Sequence, residues 1–600
     1  MHRRFASPRA IARSRVVALT AGMLAALSLG AAVVPVSGAD PQNGFKTKQP
    51  AMLASGPDAP LGTEIKPIIT VGDTIGGYRY ESIPDGISYL PSGKNEATVF
   101  VNHETSTVPF PYAGTPTPAN SQNDFDNSQL SKLMIRNGGA ILDASVIIPG
   151  SANYQRFCSE TLGTLAAGFS RPILLNNEEG IDWVKKTGTA FPATEGAADA
   201  REIGAVVASD VSAPGAPYTT IWGMGRFNHE NNIAVPGYGK PVLLSGDDSF
   251  VTSKAQSQVY AYIANNADAV LGDQGKLYAF VPDEAGINDY YDFARSSTAS
   301  ISGHFIEVPK AIATGRDASG NDVTSADFVE DDGDPYPLPP NDSTWQRPPG
   351  AASGNTGVVG IDGPQWVLEH WSDEHNAFQF IRIEDMAFDK RPGMSNVVYL
   401  ADSGRGIAGT AAPQTDAAYP NPVAPFTSSN GRIWKMVLSP TDPTVVQSLS
   451  VLIEGDDNPV KTVTEIHQPD NLETTVNGLY VTEDPGSSQQ FNLEQQGTDA
   501  ARATTARIWQ YKFADASLNV VAKVDQSADQ GPTDVDAAPT AGAWGAWEST
   551  GIVDVSAVFG PGKFLVNVQA HTLWIEKQAA TNWTNKREGG QLLLVTIPGG

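Results

Sequence analysis

Acidic and amide side chains follow six apolar, strand-like stretches of this chain, and oxygen-rich groups of this kind are the usual ligands of metal ions. The six clusters end the segments 99–104, 173–179, 242–248, 398–402, 479–484 and 564–571. A second polar group precedes most of them by about one hairpin: Cys158-Ser159-Glu160, His229-Glu230, Glu384-Asp385, Asp470-Asn471 and Trp547-Glu548-Ser549, with a weaker Asp85-Gly86 in the first copy. Turn formation is the commoner role of any single cluster. Six clusters in matching positions favour a shared metal site.

The elements that would position these side chains form a repeated unit. Each copy contains a polar pair, a strand and a polar cluster, and several copies continue with a third segment such as Gly431-Arg432-Ile433-Trp434 or Ala506-Arg507-Ile508-Trp509. Repeated antiparallel units of this size are typical of a β-propeller, whose sheets surround a central channel. The sequence therefore predicts an all-β, six-bladed β-propeller with long inserted loops.

A propeller would bring the polar groups of different blades to the same mouth of the channel. Carboxylates that are crowded together raise one another's pKa values unless cations neutralise them. Metal binding is the simplest explanation of such a ring.

The N-terminal segment predicts export. Five arginines without an acidic residue precede an apolar stretch, 16–34, and a small-residue cleavage site at Ser37-Gly38-Ala39, which is the pattern of a secretory signal peptide. We expect a signal peptide over 1–39, a flexible lead-in over 40–60 and the propeller over 61–600. Cleavage would leave no membrane span and a periplasmic, cell-wall or extracellular protein, by either export route. An acidic, proline-rich excursion is expected near 317–350.

The charge of the chain excludes some partners. Its 600 residues include 40 Lys and Arg against 66 Asp and Glu, a formal net charge of -26. Nucleic acids and anionic membrane surfaces are poor partners for such a protein, whereas divalent cations are suitable ones. We expect a monomer that acts on small molecules.

Cys158 is the only cysteine in the chain, so an internal disulfide is impossible. A buried cysteine usually acts as a small apolar side chain. Cys158, however, occupies the polar-pair position of the second repeat, and a thiolate among carboxylates would favour a softer metal such as iron beside calcium. Both interpretations remain open at this stage.

Eight short motifs follow one another in chain order: Val101-Asn102-His103-Glu104; Cys158 with Asn177-Glu178-Glu179; Gly225-Arg226-Phe227-Asn228-His229-Glu230; Ser245-Gly246-Asp247-Asp248; Gly275-Lys276-Leu277-Tyr278; Arg382-Ile383-Glu384-Asp385; Pro469-Asp470-Asn471-Leu472; and Val566-Asn567-Val568-Gln569. In these motifs the chain resembles the PhoX family of bacterial alkaline phosphatases. The resemblance implies a six-bladed propeller that holds iron and calcium and hydrolyses phosphomonoesters.

The resemblance also implies roles for particular residues. Iron-side ligands would be Cys158, Glu230 and Glu384, and candidate calcium ligands would be Glu178, Glu179, Asp470 and Glu483. Arg382 would bind the phosphate of the substrate. From its place beside Glu230, and not from the resemblance, His229 would assist proton transfer to the leaving alcohol, although a histidine in this setting more often bonds a neighbouring carboxylate.

Two other functions fit parts of the pattern. One is a noncatalytic, calcium-stabilised propeller that binds a surface partner, since fold alone does not decide function. The other is a calcium-dependent propeller lactonase. Neither alternative explains why Cys158 lies in the polar-pair position.

Overall fold

A computed structural model describes residues 44–104, 128–152, 154–180, 183–185, 200–248, 255–316, 319–322, 364–404, 430–457, 463–484, 504–527, 545–574 and 588–600. The predicted signal peptide lies outside these residues, as does the predicted excursion at 317–350 apart from 319–322. Among the described residues, no helix is both long and apolar enough to cross a membrane.

About half of the described residues form β-strands. In chain order they are β1 (Leu53–Ser55), β2 (Glu64–Thr70), β3 (Thr74–Ile75), β4 (Tyr78–Arg79), β5 (Pro84–Gly93), β6 (Glu96–His103), β7 (Gln129–Arg136), β8 (Ala140–Ile148), β9 (Phe157–Gly163), β10 (Ile173–Glu178), β11 (Trp183–Lys185), β12 (Ala200–Glu202), β13 (Val206–Asp210), β14 (Tyr218–Ile221) and β15 (His229–Ala234). The second half contributes β16 (Val242–Asp247), β17 (Val259–Ile263), β18 (Lys276–Pro282), β19 (Ile301–Glu307), β20 (Ile383–Phe388), β21 (Val397–Asp402), β22 (Arg432–Leu438), β23 (Val445–Glu454), β24 (Pro469–Thr474), β25 (Gly478–Glu483), β26 (Arg507–Lys512), β27 (Leu518–Val524), β28 (Glu548–Asp554), β29 (Lys563–Trp574) and β30 (Glu588–Thr596).

Short helices lie between some of the strands. Those in the described residues cover Ala267–Leu271, Tyr290–Arg295, Lys310–Thr314, Pro364–Glu374 and Ser556–Phe559. The helices at Tyr290–Arg295 and Pro364–Glu374 add Phe293 and Leu368 to the apolar cores, so they cover sheets and do not build a layer of their own.

The strands form a propeller-like arrangement of antiparallel sheets. Four sheets of four or five strands stand separately: β5-β6-β7-β8, β9-β10-β13-β14, β24-β25-β26-β27-β1 and β28-β29-β30-β2. A continuous nine-stranded sheet has the order β15-β16-β17-β18-β19-β23-β22-β21-β20. Its two halves are joined by β19, which pairs with β18 on one side and β23 on the other. The all-β prediction is confirmed, while the sheets themselves do not separate into six.

Six edge strands lie next to one another around the centre of the molecule. They are β5, β9, β15, β20, β24 and β28, and each contacts the next, with β28 returning to β5. The polar pairs recognised in the sequence lie at the beginning of these strands. The polar pairs therefore meet at one end of this ring, which we call the mouth, although β15 and β20 are the two edges of the same nine-stranded sheet and do not come from separate sheets.

The N-terminal segment is part of the sheets, which corrects the expected flexible lead-in over its described part, 44–60. Strand β1 pairs with β27 from Leu53 to Ser55, and Met52 and Leu53 are buried. Strand β2 pairs in the same way with β30. Apolar residues before position 60 complete the outer edge of a sheet from the far end of the chain, a long-range pairing with no local signal in the sequence.

The acid at the end of the second strand holds the segment that leads into the first strand. Asp402 accepts hydrogen bonds from the backbone N–H groups of Ile381, at 3.4 Å, and Arg382, at 3.1 Å. Glu178 does the same for Gln155, at 3.1 Å, and Glu483 for His467, at 2.9 Å. The strand-end acids therefore have a structural role in each of these sheets.

An arginine pairs with each of these three acids. Arg432 and Arg507 begin the third strands β22 and β26, whereas Arg201 lies on β12, in a separate two-stranded sheet with β11. The pairs are Arg201 with Glu178, at 2.6 Å, Arg432 with Asp402, at 2.9 Å, and Arg507 with Glu483, at 2.7 Å. In two of the sheets a tryptophan donates from its indole nitrogen to the same carboxylate, Trp434 to Asp402 and Trp509 to Glu483. We call each such pair an acid–arginine lock. The locks explain the Arg-Ile-Trp segments of the repeat.

Candidate metal centre

A β-bulge at the start of five of the six edge strands presents the polar pair to the mouth. Pairing between β15 and β16 shifts between His229 and Asn232, with one more residue on β15 than on β16, and the equivalent shift brackets the polar pair of β5, β9, β20 and β24. In β28 the extra residue is Gly551, which follows the polar residues Glu548 and Ser549. A bulge interrupts the alternation of side chains and re-aims one of them. This local irregularity is why two consecutive polar residues occur at these positions.

The bulges gather a thiol and several carboxylates into a connected cluster. Three overlapping groups have potential ligand atoms within 4.8 Å of one another: Asp85 with Glu104 and Cys158; Cys158 with Glu179 and Glu230; and Glu230 with Asp248 and Glu384. All seven side chains are buried. Cys158 and Glu230 each belong to two groups, so they are the shared members of the cluster.

Cys158 lies between two carboxylates. Its Sγ atom is 2.9 Å from Asp85 Oδ2 and 2.9 Å from Glu230 Oε1. A thiol has one proton and can donate to only one of these oxygens. Burial, and next the charge of Asp85, raises the pKa of the Cys158 thiol. The position is therefore unlike that of a cysteine that merely fills an apolar core.

Several buried carboxylate oxygens in the cluster have no hydrogen-bond partner within the described part of the chain. They include both oxygens of Glu179 and of Asp470 and one oxygen each of Glu230, Glu384 and Glu548. Leaving a buried carboxylate oxygen without a partner is costly, so such groups normally bind a cation or a hydrogen-bond donor. These oxygens are the strongest indication of a metal centre in the structure.

Electrostatics at the mouth lead to the same conclusion. Burial, followed by the charges of neighbouring carboxylates, raises the pKa values of Asp85, Glu230 and Asp470 well above their ordinary range. Burial also raises the pKa of Glu179 to about 7, although the charge of Arg156 opposes the shift. Bound cations would favour the ionised forms and offset this repulsion.

Arg382 lies at the rim of the cluster. Its Nε and Nη2 atoms each donate to a different oxygen of Asp248 at 2.7 Å, and Nη2 is also 2.7 Å from Glu384 Oε1. The guanidinium thus contacts two members of the cluster directly, and its backbone is held by Asp402 as described above. An arginine in this position can bind an anion that approaches the mouth.

His229 points away from the cluster. Its Nδ1 is 3.0 Å from Ser245 Oγ, its Nε2 is 3.2 Å from the carbonyl oxygen of Gly225, and its ring packs on Phe227 with 3.6 Å between centroids. Burial lowers the pKa of His229 to about 3. Both nitrogens have structural partners, neither of them a carboxylate, so the expected role in proton transfer is not carried into the proposal below.

Glu178 and Glu483 lie outside the cluster, whereas the residues that follow them belong to the mouth. Glu178 and Glu483 form the acid–arginine locks, while the next residues, Glu179 and Asp484, lie next to mouth carboxylates. Successive side chains of a strand point to opposite sides, so only one residue of each acidic pair can face the cluster. Both oxygens of each lock residue already accept hydrogen bonds, and the ligand role of Glu178 and Glu483 stays a prediction.

Sequence reasoning passed over several acids of the mouth. Asp85, Glu104, Asp248, Asp484 and Glu548 were not among the candidate ligands, although all lie in the repeated clusters. The signal was available in the repeat: Asp85 and Glu548 occupy the polar-pair position of the first and last copies, equivalent to Cys158 and Glu230.

The donor set fits the metals that were predicted. A thiol between carboxylates suits a transition metal such as iron, and the all-oxygen group around Asp470 and Glu548 suits a hard cation such as calcium. Taken together, the fold and the site define a propeller-like protein with a buried thiol–carboxylate cluster at one end of its ring of edge strands.

Comparison with known proteins supports the fold. PhoX of Pseudomonas fluorescens, solved in complex with vanadate, a transition state analogue, matches 93% of this chain and 98% of its own, with a TM-score of 0.52 and 16% sequence identity. The acylaminoacyl peptidase of Pyrococcus horikoshii, in an orthorhombic crystal form, has 7% identity over 82% of this chain and 58% of its own. Its TM-score of 0.21 is too low to indicate a shared fold. No family model matches the sequence, and no curated protein shows a significant match. At this identity, the likeness to PhoX is one of fold.

Proposed function

We propose that this chain is a metal-dependent phosphomonoesterase that hydrolyses small phosphate esters at the mouth of the channel. The observation that carries the proposal is the buried cluster around Cys158 and Glu230, with its carboxylate oxygens that have no hydrogen-bond partner in the described part of the chain. The PhoX-like fold supports the same function, since that protein was solved with a transition state analogue.

The proposal includes a propeller of six blades. The closed ring of six edge strands supports this number, and so does the recurrence of the same bulge in five of the six hairpins. In this description the nine-stranded sheet consists of the third and fourth blades, which share β19 at their outer edges.

The residues of the mouth would divide by ligand chemistry. Cys158, Glu230 and Glu384 would hold iron, with Asp85, Glu104 and Asp248 beside them. Glu179 and Asp470, together with Asp484 and Glu548, would hold calcium. Bound cations would neutralise the charge of a phosphate and activate water for attack. The buried walls of the mouth exclude bulk water and strengthen these interactions.

Arg382 would orient the substrate phosphate. Its planar guanidinium can donate to two nonbridging oxygens, and its contact with Asp248 and Glu384 places it beside the metal ligands. A cationic side chain is needed here because the protein as a whole is strongly acidic.

Replacing Arg382 by lysine tests this role. We expect Arg382→Lys to lower kcat/KM by about 10²-fold, because lysine keeps the charge but loses the paired donors. Steady-state kinetics with p-nitrophenyl phosphate would separate the effects on kcat and KM. A matched control is Arg391→Lys, since Arg391 makes a similar two-pronged pair with Asp389 outside the cluster. Equal losses in both variants, or a loss that only follows lost metal, would contradict the proposal.

The function as a whole is tested by metal analysis together with hydrolysis assays. We expect protein purified without chelator to contain iron and calcium and to hydrolyse p-nitrophenyl phosphate, and we expect chelation to abolish the activity. Calcium alone without hydrolysis would instead favour the noncatalytic propeller. Lactone hydrolysis that survives Cys158→Ser would favour the lactonase.

Export completes the proposal. The mature enzyme would begin near residue 40 and act outside the cytoplasm. N-terminal sequencing of the secreted protein would check the cleavage site, and an intact N-terminus on exported material would contradict it.

A further inference from the structure

A histidine links the beginnings of two acidic strands in the last sheet. His571, on β29, lies with Nε2 2.7 Å from Glu548 Oε1 and with Nδ1 2.8 Å from Glu588 Oε2. Glu548 is the first residue of β28 and Glu588 is the first residue of β30. One imidazole therefore connects all three neighbouring strands at the mouth.

This arrangement is an acid–arginine lock with the charges exchanged. In the locks of Asp402 and Glu483 the acid ends the second strand and the cation begins the third, as in Asp402 and Arg432. In the last sheet, the basic group is on the second strand and the acid, Glu588, begins the third. The exchange has a consequence: the basic group now also reaches Glu548, the first residue of the edge strand.

A local irregularity gives His571 its direction. Pairing of β29 with β30 shifts between Ala570, opposite Gly589, and Trp574, opposite Glu588. The additional residues on β29 form a bulge, which can turn a side chain toward the edge strand. Gly589 allows the side chain of Leu573, within the bulge, to pack closely on the backbone of β30, because a Cβ atom at position 589 would lie 2.7 Å from Leu573 Cδ2.

The contact with His571 leaves one oxygen of Glu548 for the mouth. Glu548 is fully buried, and its Oε2 accepts from no donor among the described residues. The carboxyl group of Asp484 lies within hydrogen-bond reach of Glu548, and Asp470 and Asp85 are the next neighbouring acids. Both oxygens of Asp470 are likewise buried without a partner in the described chain. The second oxygen of Glu548 therefore faces other carboxyl groups, an arrangement that a bound cation would stabilise.

We propose that Glu588 and His571 form a relay that holds Glu548 in the orientation in which its second oxygen binds a hard divalent cation. The inference rests on the proposed metal centre and names positioning residues for its oxygen-only half. Groups that orient metal ligands commonly change affinity without contacting the metal themselves. The relay would also make cation binding depend on the correct pairing of the last sheet, because Glu588 begins β30 and β30 pairs with the N-terminal strand β2.

Calcium binding by the full mature protein tests the relay. We expect His571→Leu to weaken Ca²⁺ binding about 10- to 100-fold, measured as calcium per chain after dialysis against graded free Ca²⁺ and as the rise of Tm with Ca²⁺. Iron content should stay at the wild-type value, because Cys158 and Glu230 do not contact the relay. Glu588→Gln should also weaken calcium binding, by a smaller factor. This second variant tests the relay if His571→Leu does not fold.

The control is His304→Leu, which removes an exposed histidine of β19. His304 Nδ1 lies 2.9 Å from Asp283 Oδ1. It should leave calcium binding unchanged. Wild-type calcium affinity in folded His571→Leu would overturn the relay while leaving the phosphomonoesterase proposal intact, and so would equal loss of iron and calcium. A wild-type protein that retains no divalent cation would overturn both.

Discussion

Cys158→Ser should remove iron from the protein and abolish most of its phosphatase activity. Cys158 belongs to two of the three ligand groups and lies 2.9 Å from both Asp85 and Glu230. Serine has a similar size, but its hydroxyl is a poor ligand for a transition metal. Loss of several kcal/mol of charge stabilisation by the metal corresponds to a fall in kcat of about 10³-fold. Elemental analysis and p-nitrophenyl phosphate kinetics on the same preparations would measure both effects.

Calcium should remain in this variant, because the oxygen-only half of the centre keeps its ligands. A matched control is Ser209→Ala, a small change at a buried position on β13 of the same sheet. Wild-type iron content and activity in Cys158→Ser would show that the thiol only fills space. The binding-propeller and lactonase alternatives would then gain ground over the phosphatase.

Arg432→Met should destabilise the protein strongly while leaving the metal ligands in place. Arg432 is fully buried and pairs with Asp402 at 2.9 Å, Glu454 at 3.2 Å and Asp456 at 3.5 Å. Removing one partner of a buried ion pair leaves an uncompensated charge, at a cost of about 3–5 kcal/mol. Unfolding in guanidinium chloride, followed by intrinsic fluorescence, would measure the loss as a lower midpoint.

A second substitution should restore part of this stability. In the double variant Arg432→Met, Asp402→Asn, the uncompensated charge of Asp402 is gone, and an amide oxygen in the place of Oδ1 still accepts from the N–H group of Arg382. The Oδ2 contacts of Ile381 and Trp434 are lost, so the recovery is only partial. The control is Arg136→Met, because both members of the Arg136–Glu96 pair are partly exposed and such pairs contribute at most about 1 kcal/mol. Equal midpoints for the Arg432 and Arg136 variants would show that the lock is not important for stability.

The repeat made much of the site predictable. Polar pairs at Cys158, Glu230, Glu384 and Asp470 lie at the starts of edge strands that meet at one mouth, as the repeated pattern indicated. The all-β class also followed from the pattern, since apolar runs bounded by turn residues read as buried strands. These features depend on local residue order, which the chain displays directly.

Other expectations were wrong because they depended on distant partners. The segment before residue 60 was expected to be flexible, but it pairs with strands some 460 residues away in sequence, as in the hydrogen bond from Val520 N to Asp58 Oδ2. Likewise, β19 joins two sheets that the pattern treats as separate. Glu178 and Glu483 carried the same residue signal as their neighbours Glu179 and Asp484, yet they face arginines of other strands.

By itself, the sequence determined that the chain is a repeated all-β protein, because strand formation and turns depend on neighbouring residues. It also determined that acids recur at equivalent positions beside the strands, and that the single thiol occupies one of these positions. Only the tertiary structure decided which acid of each pair faces the cluster of ligand atoms. That choice follows from the bulges, the arginine locks and the closure of the ring, which depend on strands far apart in the chain. The same holds for His571, whose contacts with Glu548 and Glu588 exist only after three strands have paired.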